Sequence, residues 1–136
     1  MNKTSLIKIL VWAIIIHVLL IVITVLEVFA FSQFIEPNRN EQFYQEHAKT
    51  IAPYVAIIMG FIIVFIVTWR LSKKIESNNK WIGILLALTY IVIDIIILQI
   101  SSVNWSEHYP VFLISFFTKL LAGYLGVIDF KKVLGK

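Results

Sequence analysis

The chain has 136 residues, of which 60% are hydrophobic and 15% are charged, and its formal net charge is +4. Soluble domains contain about 45–50% apolar and about 25% charged residues, and so short a chain cannot hide this apolar excess in one core. The composition therefore predicts a mostly helical integral membrane protein. The absence of cysteine excludes disulfides, thiol chemistry and cysteine-based metal or iron–sulfur sites.

The basic residues flank the apolar runs and form no separate basic domain, so the net charge does not indicate a nucleic-acid partner. The partners we expect are the lipid bilayer and other membrane subunits or further copies of the chain. Heavy use of Ile, Lys, Asn and Phe is typical of an AT-rich bacterial genome. We therefore expect a multi-pass protein of the bacterial inner membrane.

Four apolar stretches are long enough to cross a bilayer as helices, which takes about 20 residues each. In chain order, these stretches cover roughly 9–31, 51–71, 81–101 and 111–130. Their length and lack of alternation exclude the strands of a membrane barrel, which run about ten residues with a period of two. The sequence predicts an all-α membrane protein with one domain over 1–136, folded as an up-down-up-down bundle of four transmembrane helices.

The first stretch has an alternative interpretation as a secretory signal peptide, with two lysines before it and the sequence "AFS" at 30–32 as a cleavage site. The apolar run is longer than the usual length of about 7–15 residues, and Glu27 lies just before the site. We expect the first helix to be retained. Cleavage would leave three spans.

The long connection after the first span predicts a short helix over 40–50. Asn40 is a suitable N-cap, and acidic residues follow it in the first turn. This helix would lie on the outer membrane surface, or it would run into the second span with a kink at Pro53. The alternative is a polar connector in which any helix is incidental.

The orientation follows from the excess of Lys and Arg on the cytoplasmic side of membrane proteins. Basic residues precede the first span and follow the second and fourth; they are Lys3, Lys8, Arg70, Lys73, Lys74, Lys80, Lys131, Lys132 and Lys136. The 102–110 connection has no Lys or Arg, and the 31–50 connection mixes both signs. The pattern predicts that both termini are cytoplasmic.

Asp94 lies within a third span that holds thirteen Ile, Leu and Val residues. An acid near a helix centre costs about 2.5–3.5 kcal/mol to insert, so it should face other helices and have a partner. Lys119 of the fourth span lies at a similar depth, roughly 12 Å from the same side at 1.5 Å per residue. The sequence predicts an Asp94–Lys119 pair between antiparallel neighbours.

The helix faces agree with this pairing. On the third span Ala87, Tyr90, Asp94 and Ser101 share a side, and on the fourth Ser115, Lys119, Gly123 and Gly126 do so. Small residues on such a face let helices approach closely.

We expect Glu27 of the first span to join Asp94 and Lys119 in an intramembrane polar cluster, with His17, Tyr90 and Ser115 as secondary candidates. Two acids and one base are typical of a proton relay or a cation site. The alternatives are a purely structural Asp94–Lys119 pin, a Lys119 that reaches the outer surface alone, and a Glu27 that lies among the headgroups.

No catalytic, cofactor-binding or metal-binding set is indicated, so we expect a non-enzymatic subunit, scaffold or regulator of a membrane complex. The alternative is a small oligomeric transporter or channel linked to protons or cations. A lipid-modifying enzyme would need a site at the outer face, where Glu46, His47, Glu107 and His108 are candidates.

Overall fold

The computed structural model describes residues 3–74, 81–100 and 105–128. Within these ranges the chain forms four helices: α1 (Lys3–Phe34), α2 (Glu41–Lys74), α3 (Trp81–Ile100) and α4 (Trp105–Val127). All four are long and apolar enough to cross a membrane. The prediction of an all-helical chain with four such helices is therefore confirmed.

The helices differ from the predicted spans mainly at their ends. α1 and α2 have 32 and 34 residues, or about 48 and 51 Å at 1.5 Å per residue, against a hydrocarbon thickness of about 30 Å. α4 begins at Trp105, six residues before the predicted start at 111. The predicted ends of the third and fourth spans, at 101 and 130, lie outside the described residues.

The predicted short helix over 40–50 is not a separate element, because it forms the first turns of α2. Asn40 is the N-cap, as predicted: its side-chain oxygen accepts a hydrogen bond from the Phe43 backbone N–H at 2.9 Å. The helix continues through Pro53, which lacks an N–H and so removes one helical hydrogen bond. Asn38 has a φ of 64°, in the left-handed region that Asn tolerates, and closes the turn before the cap.

Contacts between α1 and α2 show that these helices are antiparallel. Glu27 lies against His47, whereas Leu20 lies beside Gly60. As the chain moves back along α1 from Glu27 to Leu20, the contact point moves forward along α2.

Contacts between α2 and α4 show that this pair is parallel. Gly60 lies beside Lys119, and Thr68 lies beside Gly126. The contact point therefore advances in the same direction on both helices.

α3 and α4 are antiparallel, because Gly83 lies against Gly123 while Tyr90 lies against Lys119. The four helices thus alternate in direction along the chain. α1 and α4 both contact α2 and α3, and within the described residues α1 makes no contact with α4. The order around the bundle is α1, α2, α4, α3, which confirms that α3 and α4 are neighbours.

The buried core lies in the half of the bundle that contains the start of α1, the end of α2, the start of α3 and the end of α4. We call this half the base and the opposite half the loop end. The core side chains are Ile9, Ala13, Ile16, Leu20, Val64, Val67, Leu71, Ile82, Leu86, Ala87, Tyr90, Ile91 and Ala122. Among the described side chains, none between 21 and 59 or between 92 and 114 is buried.

The inward side of α1 shows the same gradient along one helix. Its buried residues, at 9, 13, 16, 17 and 20, continue at helical spacing as Ile23, Thr24, Glu27, Val28 and Phe31. These five side chains are only half-buried. The bundle is therefore closely packed at the base and open at the loop end.

Candidate functional site: a central polar cluster at the edge of the core

Five polar side chains meet where the packed base gives way to the open loop end. They are His17 from α1, Tyr90 and Asp94 from α3, and Ser115 and Lys119 from α4. We call this set the central polar cluster. Four of its members are buried, and the Asp94 side chain is 22% exposed.

Lys119 is 0% exposed and is held by its own helix. Its ammonium donates a hydrogen bond to the Ser115 carbonyl at 3.2 Å and another to the Ser115 hydroxyl. Side chains lean toward the N-terminus of their helix, which brings Lys119 back over the preceding turn, where Ser115 lies. A fully enclosed cation is thereby supplied with two oxygen acceptors.

Gly60 of α2 provides the space that the Lys119 side chain occupies. A Cβ atom at Gly60 would lie 3.2 Å from the Lys119 Cε and 3.6 Å from its Nζ. α2 therefore contributes an uncharged wall to the cluster, and a side chain at this position would displace the lysine.

His17 and Asp94 form one of the contacts between α1 and α3. His17 Nδ1 lies 2.9 Å from the Ala13 carbonyl, which can only accept, so Nδ1 is the donor. The other ring nitrogen, Nε2, lies 3.6 Å from the Asp94 Oδ1 and is buried with no hydrogen-bond partner. This histidine was only a secondary candidate from the sequence, which does not show which way α1 faces.

Tyr90 lies between the two halves of the cluster. Its ring stacks on the His17 imidazole, with centroids 3.9 Å apart and planes at 17°. The Lys119 ammonium lies 5.0 Å from the same ring centroid, within the range of a cation–π contact. The buried tyrosine thus contacts both the His17 imidazole of α1 and the Lys119 ammonium of α4.

The direct Asp94–Lys119 contact predicted from the sequence is not formed. Among the ion pairs of the described residues, Asp94 is paired with His17, and Lys119 contacts Ser115 and the Tyr90 ring instead. The two residues do lie in the same layer of the bundle, as their depths indicated. The prediction was wrong about the partner because depth does not determine which neighbouring helix a side chain meets.

Glu27, the third member of the predicted cluster, lies elsewhere. It is ten residues beyond His17 along α1, or about 15 Å, at the loop end. The His47 Nε2–H donates to both Glu27 oxygens, at 3.0 and 3.3 Å, and the His47 ring stacks on Phe31 with centroids 3.7 Å apart. Glu27 therefore joins α1 to the N-terminal turns of α2 and does not contact the central polar cluster.

The geometry of Ser115 and Lys119 limits what they can do chemically. Serine and lysine act together as nucleophile and base in some hydrolases, but such sites also need backbone donors for an oxyanion. Ser115 lies in the middle of α4, where backbone N–H groups are engaged in the helix. The pair is therefore a helix-internal clamp on a buried cation.

Four residues were candidates for an enzyme site at the outer face. Glu46 and His47 lie on the first turns of α2, and the side chains of Glu107 and His108 are outside the described part of the chain. Among the described residues, no three His, Asp or Glu side chains are placed to share a metal ion. Comparison of the chain with protein families, curated proteins and solved structures gave no match.

Proposed function

We propose that this chain is a small polytopic membrane protein that acts as a non-enzymatic subunit, scaffold or regulator in a membrane complex. The observation that carries the proposal is the gradient of packing. The base is a closed core of side chains from all four helices, whereas the inward sides of the same helices are only half-buried at the loop end. The occupant that we propose for this open half is an apolar membrane-spanning helix of another subunit.

The chemistry of the open half supports a helix as its occupant. Three of the half-buried residues that α1 presents there, Ile23, Val28 and Phe31, are apolar and lie at helical spacing. Between helices in lipid, association depends on close packing and on interhelical hydrogen bonds rather than on hydrophobicity. A partner helix would extend the core that ends at Leu20.

Site-specific photo-crosslinking in native membranes tests this proposal. A photoreactive residue at Thr24 or Val55, on the half-buried side of α1 or α2, should give a discrete protein adduct. The same probe at Ile14 or Ile58, on the exposed sides of these helices, is the matched control and should react mainly with lipid. Lipid adducts alone at all four positions would contradict the proposal.

The proposed orientation places both termini in the cytoplasm of a bacterial cell, with the loop end outside. The base carries Arg70, Lys73 and Lys74, with the Lys73 ammonium 3.7 Å from the centroid of the Trp69 ring, as expected at a headgroup boundary. The chain has no cysteine, so single cysteines report topology directly. Gln42→Cys should react with an impermeant maleimide on intact spheroplasts, and Lys74→Cys only after permeabilisation; the reverse pattern would invert the orientation.

A second candidate function is a small oligomeric transporter or channel linked to protons or cations, and the His17–Asp94 contact favours it. The reconstituted protein would then show pH-dependent flux that is lost in Asp94→Asn, with Glu27→Gln as the matched control outside the cluster. Equal flux in the wild type, in Asp94→Asn and in empty vesicles would remove this candidate.

A further inference from the structure

The His17 ring has a fixed tautomer, and this determines what Asp94 faces. Because the Ala13 carbonyl accepts from Nδ1–H, a neutral His17 has only a lone pair at Nε2. That nitrogen is buried, has no hydrogen-bond partner and lies 3.6 Å from the Asp94 Oδ1. A neutral imidazole would therefore place two acceptors against each other in the interior of the bundle.

Lys119 does not resolve this conflict. Its ammonium donates to the carbonyl and the hydroxyl of Ser115, and the described residues supply Asp94 with no hydrogen-bond donor. The Tyr90 ring lies against both His17 and Lys119. The lysine thus adds positive charge to the layer without donating to the carboxylate.

We propose that His17 and Asp94 together form a proton-binding site, with one proton held between Nε2 and the carboxylate. The proton makes Nε2 a donor and gives the carboxylate the donor that it lacks. Whether it resides on nitrogen or on oxygen, the pair holds one proton more than a neutral imidazole with a carboxylate. This inference is independent of the subunit role, and it supplies the site that the transporter candidate would need.

A metal ion is a poorer occupant than a proton. The pair offers two ligand atoms, and within the described part of the chain no third His, Asp or Glu is positioned beside them. The other ionisable groups of this layer are Tyr90 on α3 and Lys119 on α4, and α2 contributes Gly60 but no ionisable side chain.

Asp94 is the more accessible member of the pair. His17 is 8% exposed and the Asp94 side chain is 22% exposed. A proton would therefore exchange through the carboxylate rather than through the buried imidazole.

Solid-state NMR on the full chain in phosphatidylcholine–phosphatidylglycerol bilayers tests the proposal, with ¹⁵N-labelled histidine and ¹³C-labelled aspartate. The His17 signals are assigned by their loss in His17→Gln. Near neutral pH the wild type should show either two protonated nitrogens with an ionised Asp94, or a protonated carboxyl donating to Nε2. In Asp94→Asn, an isosteric change, the extra proton should be lost and only Nδ1 of His17 should remain protonated.

Glu27→Gln is the matched control, because it changes the other histidine–acid pair: it should alter the His47 signals and leave those of His17 unchanged. A neutral His17 beside an ionised Asp94 throughout the range from about pH 5 to about pH 8 would overturn the proposal. A His17 protonated at Nε2 alone would also overturn it. Both outcomes are read from the wild type, so they do not depend on how a variant folds.

Discussion

Lys119 shows how a single cation is accommodated within an apolar bundle. A lysine that lies deep in a membrane usually extends to the nearest aqueous boundary. Here the side chain is fully enclosed, and both of its hydrogen bonds end on one residue, Ser115, one turn earlier in the same helix. Gly60 of the facing helix leaves the space for this path. The charge is therefore satisfied locally rather than by an acid on another helix.

Removal of the Ser115 hydroxyl should be costly for this reason. Ser115→Ala takes one of two acceptors from a buried ammonium, and hydrogen bonds to charged groups contribute about 1.5–3 kcal/mol. We expect a loss of that order in the free energy of unfolding, measured in mild detergent. Thr89→Ala is the matched control, because its half-buried hydroxyl donates to the Leu85 carbonyl of its own helix, away from Lys119. Equal losses in the two variants would contradict the claim that the Ser115 hydroxyl stabilises the buried Lys119 ammonium.

The two possible partners of Asp94 can be separated by double-mutant cycles on unfolding free energy. The cycle of His17→Gln with Asp94→Asn should give a coupling of about 1 kcal/mol, because these side chains are in contact. The cycle of Asp94→Asn with Lys119→Met should give less, about 0.5 kcal/mol or below, because these side chains interact only at longer range. A larger coupling to Lys119 would restore the direct pair that the sequence predicted.

At the scale of the helices, two close crossings hold the base together. A Cβ atom on Gly83 would overlap the backbone carbonyl of Gly123, and one on Gly126 would come within 2.7 Å of the Thr68 Cβ. Small residues at such crossings let backbones approach, which is the main source of helix association in lipid. Because these glycines have no side chain, the backbone of α4 packs closely against α3 and α2.

Alanine substitutions should rank these contacts. Gly123→Ala would place its Cβ against the Gly83 backbone, so whole helices must move, and overpacking of this kind costs typically about 1–3 kcal/mol. Gly60→Ala would come closest to the end of the Lys119 side chain, which can shift, so its cost should be smaller. Unfolding measured in detergent should show this order, and a larger loss for Gly60→Ala would mean that the lysine cannot move.

The helices and the inward faces of α3 and α4 could be predicted from the sequence, whereas the rotation of α1 and the side-chain partners could not. Apolar length identifies a spanning helix, and the spacing of Ser115, Lys119, Gly123 and Gly126 gave the buried face of α4 correctly. The rotation of α1 about its axis is not encoded in a uniformly apolar stretch. That rotation brings His17 rather than Lys119 to Asp94, and it leaves Glu27 to meet His47.

At the scale of the molecule, the α1–α2 hairpin ends in a polar segment. From the central polar cluster, α1 runs 17 residues from His17 to Phe34, or about 25 Å. The first turns of α2 that follow carry exposed polar and charged residues, including Glu41, Gln42, Glu46 and Lys49. The hairpin therefore presents a polar helical surface at the loop end.

This polar end of the hairpin should be open to protease from one side of the membrane. Arg39 lies in the turn between α1 and α2, and its side chain is 55% exposed although it pairs with Glu36. Trypsin added to intact spheroplasts should cut after Arg39 or Lys49, whereas Lys74 at the base should be cut only after permeabilisation. The Arg39→Gln, Lys49→Gln double variant should resist external trypsin if these are the sites. Cleavage at Lys74 in intact cells, with the hairpin spared, would show that the loop end faces the cytoplasm.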